Sequence, residues 1–185
     1  MVDQSIPLSY LHDHPVTNFL VNLVSNMHNV GTNGIQVAMA AYDSSVHSIW
    51  ELNTYKDKYM LATNIGVLNL HQINTSPDIS IALNYLIQKY NNVKQVTGTT
   101  GERPDVPDVA VIITGSTSDR GQHSPNSVRY LLAQLNSFNN VSTILVGVAN
   151  VDRRVAQGIG HSLYVNQVSD LSANSFYKNV LDLIC

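Results

Sequence analysis

The chain has 185 residues, is 44 % apolar and 12 % charged, and carries a formal net charge of −3. That length suits one domain with a sizeable core, the apolar share excludes intrinsic disorder, and the charge offers no footprint for nucleic acid or an anionic membrane surface. No apolar run approaches the roughly 20 residues of a membrane span, and residues 1–10 lack the pattern of a signal peptide.

In chain order, HDH at 12–14 reads as the flank of a helix start rather than a metal cluster, because neighbouring residues point in different directions. PVTNFLVNLVSNMHNV, from Pro15, places apolar residues at 16, 19, 20, 23, 24 and 27 on one helical face. Pro15 suits a first turn, where its missing N–H costs nothing. In GIQVAMAAYDSSVHSIWEL, two strand-like runs over about 34–42 and 46–51 are joined by DSS, an antiparallel hairpin. Helices are predicted over 56–68 and 79–90.

VKQVTGTTGERPDVPD reads as a surface loop, rich in Gly, Pro and Thr. DVAVIITGSTSDRG follows, with a strand over 109–114 that shows no alternation and is therefore buried on both faces, as in a parallel sheet. Then come a helix over 125–136, the strand STILVGVA, a short helix over 152–158, the strand SLYV and a final helix in LSANSFYKNVLDLIC. Strands alternating with helices predict a doubly wound α/β sheet with helices on both faces. Ligands on such sheets sit at the carboxyl ends of the strands, where the 114–121 loop lies. Trp50 and the nine tyrosines read mainly as hairpin and helix packing. Cys185 cannot form a disulfide within the chain; it is either an incidental thiol or half of a bridge to a partner outside it. Sequons at Asn74 and Asn140 point, weakly, to a secreted glycoprotein.

The order and spacing of these pieces resemble the von Willebrand factor A domain across nearly the whole chain, so that 1–185 is expected to be a single such domain. VDQS is similar to the end of that family's first strand and its D-x-S-x-S loop. The hairpin, ISIALNYL, DVAVIITGS and TILVGVANVDRRVAQGIG match later pieces in order. The resemblance implies a mostly parallel sheet with one antiparallel edge strand, no catalysis, and adhesion to a protein such as collagen or another matrix component. It implies a module of a larger secreted or matrix protein, often working through a divalent cation, Mg²⁺ or Mn²⁺, in a metal-ion-dependent adhesion site (MIDAS).

Carried over residue by residue, that site is incomplete. Asp3 and Ser5 match the first loop, but Pro7 stands where a second Ser belongs and offers no side-chain oxygen. Thr75 and Ser76 supply hydroxyls in the second loop, although Pro77 occupies the usual Thr position, and Asp78 is a substitute acid. The third loop reads Thr114-Gly115-Ser116 where the family has an Asp, with Asp119 too far along to replace it. Losing a carboxylate weakens a divalent-ion site, because affinity follows ligand charge. The expectation is a degenerate site, with ligand-binding residues Asp3, Ser5, Thr75, Ser76, Asp78, Thr114, Gly115 and Ser116. The metal-binding subset is Asp3, Ser5, Thr75 and Ser76. Only Met1 and Val2 precede Asp3, so most of a central first strand is expected to be missing, and with it an upstream partner for Cys185.

The rival reading is a nucleotide- or flavin-binding enzyme. ITGSTSD is similar to the phosphate loop of carboxyaminoimidazole ribonucleotide mutases and, faintly, to the flavin-phosphate loop of flavodoxins. Both families carry that loop after their first strand, whereas here more than 100 residues precede it. No G-x-G-x-x-G, P-loop, H-E-x-x-H or G-x-S-x-G pattern occurs.

Overall fold

The computed structural model describes residues 1–4, 6, 14–68, 78–93, 103, 106–115, 125–138, 141–149, 151, 153, 160–173 and 175–184. Among these, six strands form one sheet: β1 (Val2–Asp3), β2 (Met39–Tyr42), β3 (Val46–Trp50), β4 (Asp108–Thr114), β5 (Val141–Val148) and β6 (His161–Val165). The spatial order is β3-β2-β1-β4-β5-β6, and every pairing is parallel except the edge pair β2–β3. The helices are α1 (Pro15–Asn26), α2 (Lys58–Gly66), α3 (Ile79–Val93), α4 (Pro125–Asn136) and α5 (Phe176–Ile184). This is the doubly wound arrangement expected from the strand–helix alternation.

The strands explain why no alternation was visible in their sequence. On β5, Ile144, Val146 and Val148 pack on one face with Phe19, Leu61, Ile65, Phe176 and Val180, from α1, α2 and α5. Leu145 points the other way, toward Leu83, Ile87, Leu132 and Leu135 of α3 and α4. Helices cover both faces, so the inner strands β4 and β5 are apolar over most of their length, whereas the edge strands β3 and β6 carry exposed polar residues.

Two elements differ from the sequence reading. The first strand of the hairpin is shorter than 34–42, because residues 29–35 close on themselves: the Ile35 N–H donates to Asn29 O at 2.8 Å, and the Gly31 N–H to Ile35 O at 3.0 Å. A Cβ on Gly34 would lie 1.6 Å from Asn29 O, so only glycine permits this approach. The final helix is interrupted. Val168–Ser172 is a separate 3₁₀ turn in which the Gln167 N–H donates to the Asp170 carboxylate at 3.0 Å, and α5 begins only at Phe176. The short helix expected over 152–158 lies outside the described residues, except Arg153, whose guanidinium sits 5.0 Å from the Tyr164 ring centroid.

β1 is central yet only two residues long. Val2 lies opposite Ala41 on one side and Ile113 on the other, and Asp3 lies opposite Tyr42. Behind it, β2 and β4 flank a cleft of about 790 Å³ whose lining includes Met1, Ala40, Trp50, Val109 and Val111. The terminal amino group lies buried at its inner end and donates to Val111 O at 2.5 Å.

Candidate functional site

β1, β2 and β4 run parallel and end side by side, so their last residues share one edge of the sheet. Asp3, Tyr42 and Thr114 occupy those ends, each at most 1 % exposed. A polar cluster this deep needs internal partners. Asp3 Oδ2 accepts two hydrogen bonds, from Thr114 Oγ1 at 3.0 Å and from the Gly115 N–H at 3.0 Å. Gly115 reaches this position by passing close to Ile6, whose Cγ1 would stand 2.7 Å from a Cβ added there.

Tyr42 completes the floor. Its hydroxyl is buried beside the Thr114 side chain. Burial pushes its acidity constant well above the usual tyrosine value; the negative charge of Asp3 and, to a lesser degree, Asp78 adds to this, and the nearby Thr114 hydroxyl opposes it. The phenol is therefore neutral at physiological pH.

Asp78 begins α3. Its Oδ1 accepts the Ser80 N–H at 2.8 Å and its carbonyl accepts the Ile81 N–H at 3.0 Å, a helix-capping arrangement. One of its oxygens is thus committed to the helix while its charge still reaches Tyr42. Asp43, next along from Tyr42, serves the hairpin turn. Its Oδ1 accepts from the Ser45 N–H at 2.7 Å and from the hydroxyls of Ser44 and Ser45, both at 3.3 Å. Burial raises its pKa, but these bonds and His47 outweigh that and hold it below the usual carboxylate value.

Of the residues singled out from the sequence, Asp3, Thr114 and Gly115 come together, and Asp78 begins α3, its charge reaching Tyr42. Ser5, Thr75, Ser76 and Ser116 lie outside the described residues, as do Pro7, Pro77 and Asp119. Tyr42 was read only as hairpin packing; the signal available was a tyrosine ending an otherwise apolar strand. Among the described residues no three His, Cys, Asp or Glu side chains gather as a metal cluster. The donors present are all oxygens, one of them a buried carboxylate. That chemistry suits a hard divalent cation such as Mg²⁺ or Mn²⁺ rather than a soft metal.

Comparison with known proteins yields consistent relatives. The model of the von Willebrand factor type A domain family matches residues 1–178. Collagen alpha-1(XX) chain of Mus musculus is 24 % identical over 182 residues, which cover 98 % of this chain and 12 % of that protein. Collagen alpha-1(XII) chain of Notophthalmus viridescens is 25 % identical over 192 residues, covering 100 % of this chain and 19 % of that protein. The chain thus spans only a small part of these relatives. Among solved structures, proximal thread matrix protein 1 from the mussel byssus, with a zinc-occupied MIDAS motif, superposes with a TM-score of 0.76 at 22 % identity. The match covers all of this chain and 47 % of that one.

Proposed function

The chain belongs to the von Willebrand factor type A domain family, and from that premise we propose that it is a non-catalytic protein-binding module of a secreted matrix or cell-adhesion protein. The observation that carries this reading is the buried Asp3 carboxylate, held by Thr114 and Gly115 where three parallel strands end. A charge kept there by two donors is set to meet something arriving at the top of the sheet. The contact surface is formed by residues 3–9, 74–78 and 114–121, and the protein ligand is collagen or another matrix component.

Asp3, Ser5, Thr75 and Ser76 would hold Mg²⁺ or Mn²⁺, which when bound supplies a positive centre for a carboxylate of the protein ligand. With Pro7 and Gly115 lacking oxygens on their side chains, the ion is held weakly and binding depends on it only in part. Asp3 is the residue that orients the site, because its second oxygen is fixed by backbone and hydroxyl donors. The domain works within a longer multidomain protein, as the small share of each collagen relative that it matches supports.

The test is a thermal melt in Mg²⁺, Mn²⁺ and EDTA, paired with binding to collagen-coated surfaces with and without chelator. An ion that binds only the folded chain raises the midpoint by mass action. A modest rise that Asp3→Ala abolishes is expected. Collagen binding unchanged in EDTA, with no midpoint shift, would instead assign a metal-free interface.

A further inference from the structure

The strands on either side of β1 are longer than β1 itself, and a slot lies between them. All seven residues of β4 are matched with β5, but only Ile113 is matched with β1, opposite Val2. On the other side β1 meets Ala41 and Tyr42, leaving Met39 and Ala40 of β2 unmatched by it. Met1 extends the pairing by one residue: its carbonyl accepts the Ile113 N–H at 2.9 Å and its amino group donates to Val111 O at 2.5 Å. Behind it lies the cleft of about 790 Å³. The cleft is walled on both faces of the sheet by apolar side chains, Leu20, Leu23 and Val24 of α1 on one and Leu86 and Tyr90 of α3 on the other.

These edges and walls together specify an occupant. A rounded apolar ligand would fill the space but leave the main-chain edges of β2 and β4 without partners, a cost that an extended peptide avoids by bonding to both. Paired strands lie about 4.8 Å apart, so a gap that Val2 alone bridges is one strand wide. Alongside Asp108–Val111 it holds about four residues at roughly 3.3 Å each, their side chains alternating between the two apolar walls. Charge sets the direction. In a chain that starts at Met1, the buried amino group stands at the inner end of the slot, and its described partner is a carbonyl rather than a carboxylate. The other cations lining the cleft are engaged, Lys89 with Glu51 at 2.7 Å and Arg103 with the Gly34 carbonyl. A strand parallel to its neighbours brings its carboxyl end to the amine, whereas an antiparallel one sets amine against amine. Trp50 also lines the cleft, and its buried indole N–H lacks an acceptor among the described residues, which a peptide carbonyl can supply. We propose that the slot binds the carboxyl-terminal segment of a protein partner, about four apolar residues added as a strand between β2 and β4, with the terminal carboxylate paired to the Met1 amino group. This site lies at the opposite end of β1 from Asp3 and stands independently of the cation reading.

Trp50 is the single tryptophan of the chain, so its fluorescence reports occupancy of the cleft. The 185-residue chain is titrated with acetyl-Ile-Val-Ile-Val bearing a free carboxylate, with its carboxamide, with the acid N-methylated at its two central amides, and with octanoate. Saturable binding of the acid is expected, with a raised thermal midpoint by mass action. Removing one partner of a buried charge pair is costly, so the carboxamide, and the acid added to Nα-acetylated chain, are expected to bind at least about 10-fold more weakly. N-methylation, which removes strand donors, is expected to weaken binding as well. No saturable signal and no midpoint rise with the acid would overturn the proposal. Equal binding of the N-methylated peptide or of octanoate would overturn the added strand and make the cleft a pocket for apolar acids. Equal binding of the carboxamide would overturn the pairing with Met1.

Discussion

Asp3 is a carboxylate with no exposed surface, and its donors Thr114 and Gly115 come from a segment 111 residues away in sequence. Such long-range bonds to a charged group hold β1 to the end of β4. Asp3→Ala removes the acceptor of these two bonds, and the loss is about 1–3 kcal/mol in metal-free buffer, read as a lower urea midpoint. Gly115→Ala acts by another route. Its methyl group meets Cγ1 of the fully buried Ile6 at 2.7 Å, so overpacking lowers stability by about 1–3 kcal/mol. Because one contact carries the effect, the cost should shrink in an Ile6→Ala background; purely additive effects would disprove that origin. At this scale the legible residues were those that a family motif marks. Asp3, Thr114 and Gly115 were named through the resemblance to the family's loops, and the structure brings the three together. Tyr42 was not, because a tyrosine ending an apolar strand looks the same whether it packs alone or sits beside a polar cluster.

The elements themselves were largely readable in order, since helical faces and two-sided apolar strands differ in period. What escaped was local hydrogen bonding. The closure of residues 29–35 around Gly34 shortened β2, and the Asp170 carboxylate cut the last helix in two. Neither bond changes the apolar pattern, so periodicity could not find it. β1 spans only Val2–Asp3, and the amino group beside it has an energetic consequence. In a chain that starts with a free amino group at Met1, burial lowers that group's pKa from 8.0 to about 5. The folded state thus favours the neutral amine, while the unfolded chain takes up a proton below pH 8. Stability is therefore greatest above pH 8 and falls as pH drops toward 5, by on the order of 4 kcal/mol for this group. Comparing melts of free and Nα-acetylated chains between pH 5 and 8 isolates the effect, since acetylation removes the proton site and should flatten this part of the dependence. An apolar extension ahead of Met1, threaded between β2 and β4, should raise the midpoint further by filling the cleft. A polar extension of equal length should not, as it would place unpaired groups against Val109 and Val111.

For the whole molecule, the question is whether two cores under one sheet melt as one. Phe19 anchors the face covered by α1, α2 and α5, its ring 5.8 Å from that of Phe176. Leu132 anchors the opposite face with α3 and α4. The two cores share only the strands between them, yet those strands present alternate residues to both, so loosening one face shifts the backbone on which the other packs. A single cooperative unit follows. Phe19→Ala should cost about 3–5 kcal/mol and Leu132→Ala about 2–5 kcal/mol, each moving one and the same urea transition. Trp50 provides the decisive probe, because it is buried in the Phe19 core at the far edge strand. If the chain is one domain, Leu132→Ala moves the Trp50 fluorescence transition as far as the far-UV circular dichroism transition. If the α3–α4 layer unfolds by itself, Trp50 keeps its wild-type midpoint while the helical signal is lost earlier. Coincident curves would also tie the proposed contact surface to both cores, since β1 and β4, which carry Asp3 and Thr114, lie between them.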